Sequence, residues 1–200
     1  MAYGEVWSGS AATLNTPVLW INRYLQEKIG EVFGAQMPFF PSTPSTINDL
    51  TEYFEESVEG LAGTWDRLVK MNRSGFPHIK SEEVFYYFYA NGSDPITKMI
   101  TIQESVLRLL DRMDESAEEL NNWAMNRQIR LDDGTIVDNK FYFHNFKVYQ
   151  LQETRDIINF GTARTYGGNK MIIEYDYHQA PDLTNPDWTP EPKAATKIII

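Results

Sequence analysis

The chain has 200 residues, of which 42% are hydrophobic and 14% aromatic, and a formal net charge of −10. This is enough apolar material for a sizeable core, in one domain with extensions or in two small domains. The acidity argues against tight binding to DNA or an anionic membrane, which needs clustered Lys and Arg, and the absence of cysteine excludes disulfides and thiolate metal sites.

No apolar run approaches the roughly 20 residues of a membrane-spanning helix. The opening stretch, MAYGEVWSGS, has neither a basic nor an apolar leader segment. The expectation is a protein of a cytoplasm-like compartment, or of a particle assembled there.

Residues 1–15 read as an arm, small and polar apart from Tyr3, Val6, Trp7 and Leu14. Thr16 and Pro17 make a helix start, with Thr as N-cap and Pro at the first helical position. Leu19, Ile21, Leu25, Ile29, Val32 and Phe33 give a helical stripe that ends at Gly34. Residues 37–44, MPFFPSTP, hold too much proline for a helix and read as an extended connection. Thr46 caps a second short helix through Leu50, Phe54 and Val58, weakened by Gly60 and Gly63. Residues 65–71 read as a further helical turn or two.

Residues 76–80 and 83–90 read as extended. Val84-Phe85-Tyr86-Tyr87-Phe88-Tyr89 is an unbroken run of large side chains, favoured in strands. Pro77 places the first of these segments at an edge or makes it a lead-in. Asn91-Gly92-Ser93-Asp94-Pro95 ends the second as a turn. Asp94 and Pro95 then open the longest predicted helix, to about Arg127. Ile102, Val106, Leu109, Leu110, Met113, Ala117, Leu120 and Ala124 trace one of its faces. At about 1.5 Å per residue it would be ~45 Å long.

Asp132-Asp133-Gly134 signals a turn. Residues 141–151 alternate imperfectly and read as a strand. Residues 153–166 are polar and mixed. Gly167 and Gly168 mark a second turn over residues 165–169. Residues 170–178 form the last predicted strand, with Met171, Ile173, Tyr175 and Tyr177 on one face. Pro181, Pro186, Pro190 and Pro192 punctuate an extended tail.

The pattern predicts an α+β fold: a mostly antiparallel sheet packed by one long helix, with N-terminal helices and an extended C-terminal arm. The core order is strand, helix, strand, strand. The parts are an arm at 1–15, a domain at 16–180 and a proline-rich tail at 181–200.

Chemistry is sparse. His78, His144 and His178 lie in three separate extended segments without metal-ligand spacing, and read as ordinary strand histidines. Glu55-Glu56, Glu82-Glu83 and Glu118-Glu119 read as solvated faces. Gly167-Gly168 lacks the pattern of a phosphate loop, and no serine sits in a nucleophile elbow. No catalytic residue, cofactor or metal is read from the sequence.

Two features suggest interfaces. Glu153, Arg155 and Asp156, with Arg164 nearby, place both signs of charge just after a strand. They read either as local ion pairs at a strand end or as a subunit-interface or ring-lumen patch. Lys197-Ile198-Ile199-Ile200 ends the tail without a core of its own. It reads as a disordered or folded-back end, or as a strand added to a neighbour's sheet.

Several stretches carry a resemblance. They are Trp65-Asp66-Arg67-Leu68, Phe76-Pro77-His78-Ile79-Lys80, Tyr86-Tyr87-Phe88-Tyr89-Ala90, Leu110-Asp111-Arg112 and Phe146-Lys147-Val148-Tyr149-Gln150-Leu151-Gln152-Glu153-Thr154-Arg155-Asp156-Ile157-Ile158. The last continues through Phe160-Gly161-Thr162-Ala163-Arg164-Thr165-Tyr166 to Asn169-Lys170. Over a little more than half the chain, this resembles virion proteins of contractile-tailed phages, especially those of cyanobacteria. The element order is similar to that of tail-terminator and tail-completion proteins. The resemblance implies a homohexameric ring at the neck, contacting tail tube, sheath and connector proteins. DNA would pass through its lumen without specific binding. It implies no catalytic residues. Another neck or head-completion protein, or a baseplate or tube adaptor, are the alternatives, and an enzyme is the reading with least support.

Overall fold

In the computed structural model the described residues are 14–34, 39–41, 61–70, 79–91, 94–111, 117–131, 133–151, 157–160, 163–167 and 170–179. Their elements, in chain order, are α1 (Pro17–Phe33), β1 (Phe39–Pro41), β2 (Leu61–Lys70), β3 (Lys80–Asn91), α2 (Pro95–Asp111), α3 (Glu118–Met125), β4 (Gln128–Arg130), β5 (Ile136–Asp138), β6 (Phe141–Leu151), β7 (Ile157–Phe160), β8 (Ala163–Gly167) and β9 (Lys170–Gln179). This is a mixed helix and antiparallel-sheet fold.

The main sheet is built on β3. On one side β3 pairs antiparallel with β2, and β2 in turn pairs parallel with β1. On the other side β3 pairs with β9 along Lys80–Tyr86 and with β8 along Tyr89–Asn91, both antiparallel. β6 flanks β9, and β7 flanks β8. β4 and β5 make a separate hairpin.

The helices cover one face. α2 lies against β3, β6 and β8, α3 against β6, and α1 against both α2 and α3. Val84, Tyr86 and Phe88 of β3, Met171, Ile173 and Tyr175 of β9, and Phe143 and Phe146 of β6 meet Leu19, Tyr24, Ile102, Val106 and Leu120 in one buried cluster. The alternate residues of each strand point to the opposite face. The predicted face of Met171, Ile173, Tyr175 and Tyr177 is buried, and Ile172 and Glu174 of the opposite face are buried as well.

Local signals set the helix ends. Pro17 occupies the first turn of α1, and Thr16 is extended at its cap, although its side chain makes no capping bond. Gly34 closes α1 at φ 64°, donating its N–H to the Gly30 carbonyl. Asp94 caps α2 by accepting the Thr97 N–H at 3.3 Å.

Four expectations change. The spacing predicts helical turns over residues 65–71, whereas residues 61–70 are a strand whose whole length is in register with β3. The single helix over residues 94–127 is two helices. Ala117, buried and in the left-handed region at φ 48°, stands at the start of α3. That conformation is costly for a residue with a Cβ, and it ends the continuous helical path. The polar stretch before residue 166 holds the β7–β8 hairpin. Residues 165–167 of the turn expected over 165–169 belong to β8, and β8 and β9 run in the same direction along β3. The arm over 1–13, the expected helix at residues 46–58 and the tail from residue 180 lie outside the described residues.

The imperfect alternation of β6 has a structural cause. Its register with β9 shifts between His144 and Lys147. Asn145 adopts φ 50° there, a conformation Asn tolerates better than most residues. The extra residue resets the phase. Phe141 and Phe143 point inward before it, and Phe146 is buried after it.

Candidate functional site

The bulge organises a polar cluster on the sheet face opposite the helices. In the β6–β9 register, Tyr142 stands opposite His178 and His144 opposite Asp176. The two imidazoles meet on the diagonal, with His144 Nε2 2.8 Å from His178 Nδ1. Their ring centroids are 4.9 Å apart and their planes 27° from parallel. A nitrogen-to-nitrogen contact this short at that centroid separation is edge-to-edge. One facing nitrogen donates and the other offers its lone pair. The Tyr142 ring lies 4.9 Å from His144 and 5.1 Å from His178.

Asp176 anchors the cluster to its neighbours. It stands opposite Ser81 of β3, and the buried Ser81 hydroxyl hydrogen-bonds its Oδ1. The Asn145 side-chain amide donates to Oδ2 at 3.0 Å. Three strands are thereby tied by one carboxylate. Partial burial pushes His144 below the ordinary imidazole value, His178 lowers it further, and Asp176 opposes the shift.

This arrangement does not make a nucleophilic triad. A serine nucleophile needs an imidazole as its base, whereas Ser81 bonds the carboxylate and His144 bonds a second histidine. Among the described residues no group of three or more metal-ligating side chains comes together. The cluster can bind and share protons and can hold strands together.

A second polar group is buried on the helix face. Glu82, 1% exposed, accepts the hydroxyls of Tyr175 at 2.6 Å and Tyr177 at 3.0 Å. Tyr86 donates its hydroxyl to Asn22 Oδ1 of α1 at 2.6 Å. Burial, then the Glu82 charge, hold Tyr86 and Tyr175 well above the ordinary phenol value. With no route to solvent, these contacts fix the seat of α1 on the sheet.

Beside α1 and α2 lies an open groove of about 600 Å³, lined in part by Lys28, Glu31, Val32, Ile100, Glu104 and Arg108. Val32 and Ile100 are exposed. Neither His144 nor His178 lines it.

The edge of β6 is closed by side chains. Asn121 of α3 donates to the Phe143 carbonyl at 3.0 Å and accepts its N–H at 2.9 Å. Asn139 does the same for Phe141, at 2.8 and 3.0 Å. Each carboxamide supplies the donor and acceptor that a further strand would supply. Such covering protects an edge from unwanted pairing.

Of the residues expected at interfaces, Arg164 lies on β8 opposite Asn159 of β7. Glu153, Arg155 and Asp156 fall outside the described residues, between β6 and β7, and Lys197, Ile198, Ile199 and Ile200 also fall outside them. His78 does too. Sequence reading kept His144 and His178 apart because they are far apart in the chain. The signal that could have joined them is the pairing of two aromatic-rich strands, each with a histidine on its polar face.

The chain matches no known protein family, and no curated protein matches it. Among the described residues, no helix is long and apolar enough to cross a membrane.

Proposed function

We propose that the chain is a structural subunit of a contractile-tailed phage virion, of the tail-terminator or tail-completion type at the neck. The observation that carries this reading is where the resembling stretches fall. Tyr86-Tyr87-Phe88-Tyr89-Ala90 is on β3, Phe146–Leu151 on β6, Ala163–Tyr166 on β8 and Lys170 on β9. These four strands are joined in one sheet, β6 to β9 and β3 to both β9 and β8, while residues 65–68 lie on β2, residues 110 and 111 end α2, and residues 76–78 and 152–156 fall outside the described residues. The stretch with Glu153, Arg155 and Asp156 leads directly into β7, which ends the path β1-β2-β3-β8-β7. Arg164 is one strand in from that end.

In this reading six copies close a ring by packing sheet ends or helices on one another. The closed edge at Phe141 and Phe143 directs such contacts to the β7 or β1 end. The acidic chain lets DNA pass without sticking. The tail from residue 181, with Lys197-Ile198-Ile199-Ile200, reaches a neighbouring tube, sheath or connector subunit and adds a strand to it.

An enzyme would bring carboxylates and a histidine of shifted pKa together in a deep pocket. His144 is shifted, but its facing partner is a second imidazole rather than a carboxylate, and it does not line the groove beside α1 and α2. The structural reading is therefore preferred. Another neck component, or a baseplate adaptor, would share every feature except position in the particle.

Electron cryomicroscopy of the intact particle tests it. A sixfold ring at the head-proximal end of the tail, with the C-terminal segment along a neighbour, is the expected outcome. Density at the portal or baseplate would move the station within the virion. Absence from the particle would overturn the proposal.

A further inference from the structure

We propose that the His144–His178 pair is a proton latch, which ties β6 to β9 beside the bulge and opens when both imidazoles are charged. The geometry sets how many protons it holds. The 2.8 Å contact needs one donor and one lone pair on the facing nitrogens. It survives the first added proton, because one lone pair remains. The second added proton removes that lone pair. It leaves two N–H groups facing each other and two like charges in contact.

The neighbours do not cancel this repulsion. Among the described residues, register places Asp176 and Glu174 of β9, Lys147 of β6, Glu83 of β3, and Asp66 and Lys70 of β2, opposite Phe85 and Ser81, on this face. Lys147 and Glu83 both stand opposite Glu174, which places them beyond the bulge from the pair. Of these, Asp176 acts on His144, against the effect of His178. Its two oxygens are held by the neutral donors Ser81 and Asn145, and its single charge offsets only part of the repulsion between two imidazolium rings. Tyr142 packs on both rings and contributes no charge while protonated.

What opens is local. Phe143 remains held to α3 by Asn121, and Asn145 remains held to Asp176. Between those two ties, among the described residues, the imidazole contact, the Tyr142 ring packed on both histidines and the main-chain ladder join His144 to β9. Second protonation therefore releases the outer face at Tyr142, His144 and His178, not the core behind it. Tyr142, already 42% exposed, is freed from both rings.

The edge-to-edge approach also disfavours a metal ion at this point. A metal bound to both nitrogens at about 2.0–2.1 Å in a tetrahedral site would push them well beyond their present separation.

Histidine ring resonances of the full chain, followed by NMR from about pH 8 to pH 4.5, give the first readout. The pair should take up its two protons in separate steps, seen in the His144 resonances. Amide exchange by mass spectrometry gives the second. After correction for intrinsic rates, peptides spanning residues 141–147 and 174–179 should lose about tenfold protection at pH 5 relative to β2–β3 peptides, one unit of coupling being a factor of ten. His144→Gln and, separately, His178→Asn keep a hydrogen-bonding side chain without the second charge. Each should leave the remaining histidine with a single titration and abolish the extra exchange. Independent titration in the parent chain, or the same acid-induced exchange in a folded variant, would overturn the latch.

Discussion

The Asn121 carboxamide holds both main-chain polar groups of Phe143, its Nδ2 3.0 Å from the carbonyl and its Oδ1 2.9 Å from the nitrogen. A helix side chain thus stands in for a strand at the margin of a sheet. Asn121 is 2% exposed, so neither member of the pair can turn to water instead. Asn121→Ala should destabilise the fold by about 1–3 kcal/mol, the cost of leaving buried main-chain groups unpaired. Asn121→Asp keeps an acceptor for the N–H and loses the donor to the carbonyl. Urea unfolding measures both, and an effect of Asn121→Ala no larger than that of an exposed substitution would show that the closure is dispensable.

Asn145 serves the bulge in two ways, by its backbone at φ 50° and by its amide on Asp176. Two substitutions separate them. Asn145→Gly relieves the left-handed conformation and removes only the amide. Asn145→Ala removes the amide and keeps a Cβ where it is disfavoured by about 1–2 kcal/mol. Ala should therefore be the more destabilising of the two by about that amount in thermal or urea unfolding. Equal stability would mean that the backbone conformation carries no strain.

Acid should weaken the fold through His144. Its folded value lies below the ordinary 6.5, for reasons led by burial and reinforced by His178. Between the two values the unfolded chain binds more protons than the folded one. Stability then rises with pH through that window. It is fully present above about 6.5, the ordinary value for histidine, and declines as pH falls toward the folded value. Urea midpoints measured across this range should show the slope, and His144→Gln should flatten part of it. An unchanged slope in that variant would assign it to other groups.

Alkali should act in the opposite direction through the buried tyrosines. Tyr86 and Tyr175 ionise well above the ordinary 10.0, because burial and then the nearby Glu82 charge oppose a phenolate. The unfolded chain releases these protons first. Stability should fall as pH rises past about 10, where free tyrosine ionises. Phenolate absorbance from these two residues should appear together with unfolding and not before it. Tyr86→Phe removes one of the two groups, and also strands Asn22 Oδ1, with a loss of about 1–3 kcal/mol at neutral pH.

The sequence by itself determined what neighbouring residues decide. Thr16-Pro17 and Gly34 mark the ends of α1, because a proline suits the first helical turn and a glycine suits a left-handed cap. The unbroken run from Val84 to Tyr89, rich in aromatic side chains and closed by a turn, favoured a strand, and it lies on β3. The alternation of Met171, Ile173, Tyr175 and Tyr177 marked one buried face of β9, though Ile172 and Glu174 of the other face are buried too. Asp133 and Gly134 turn the β4–β5 hairpin, with the Thr135 N–H donating to Asp133.

Only the tertiary structure decided the rest, because it depends on partners remote in the chain. Trp65, Leu68 and Val69 are spaced like a helix, yet β3 offers their segment a ladder along its whole length, and pairing overrides a short local pattern. The apolar stripe on either side of Ala117 fits one helix, but the backbone turns there at positive φ and starts α3 separately. The turn expected over 165–169 looks like a reversal, yet residues 165–167 belong to β8, and β3 receives both β8 and β9 in one direction. The histidine pair is the plainest case. Periodicity places each imidazole on a face of its own strand, but only the β6–β9 register, shifted by one residue at Asn145, brings the two nitrogens into contact.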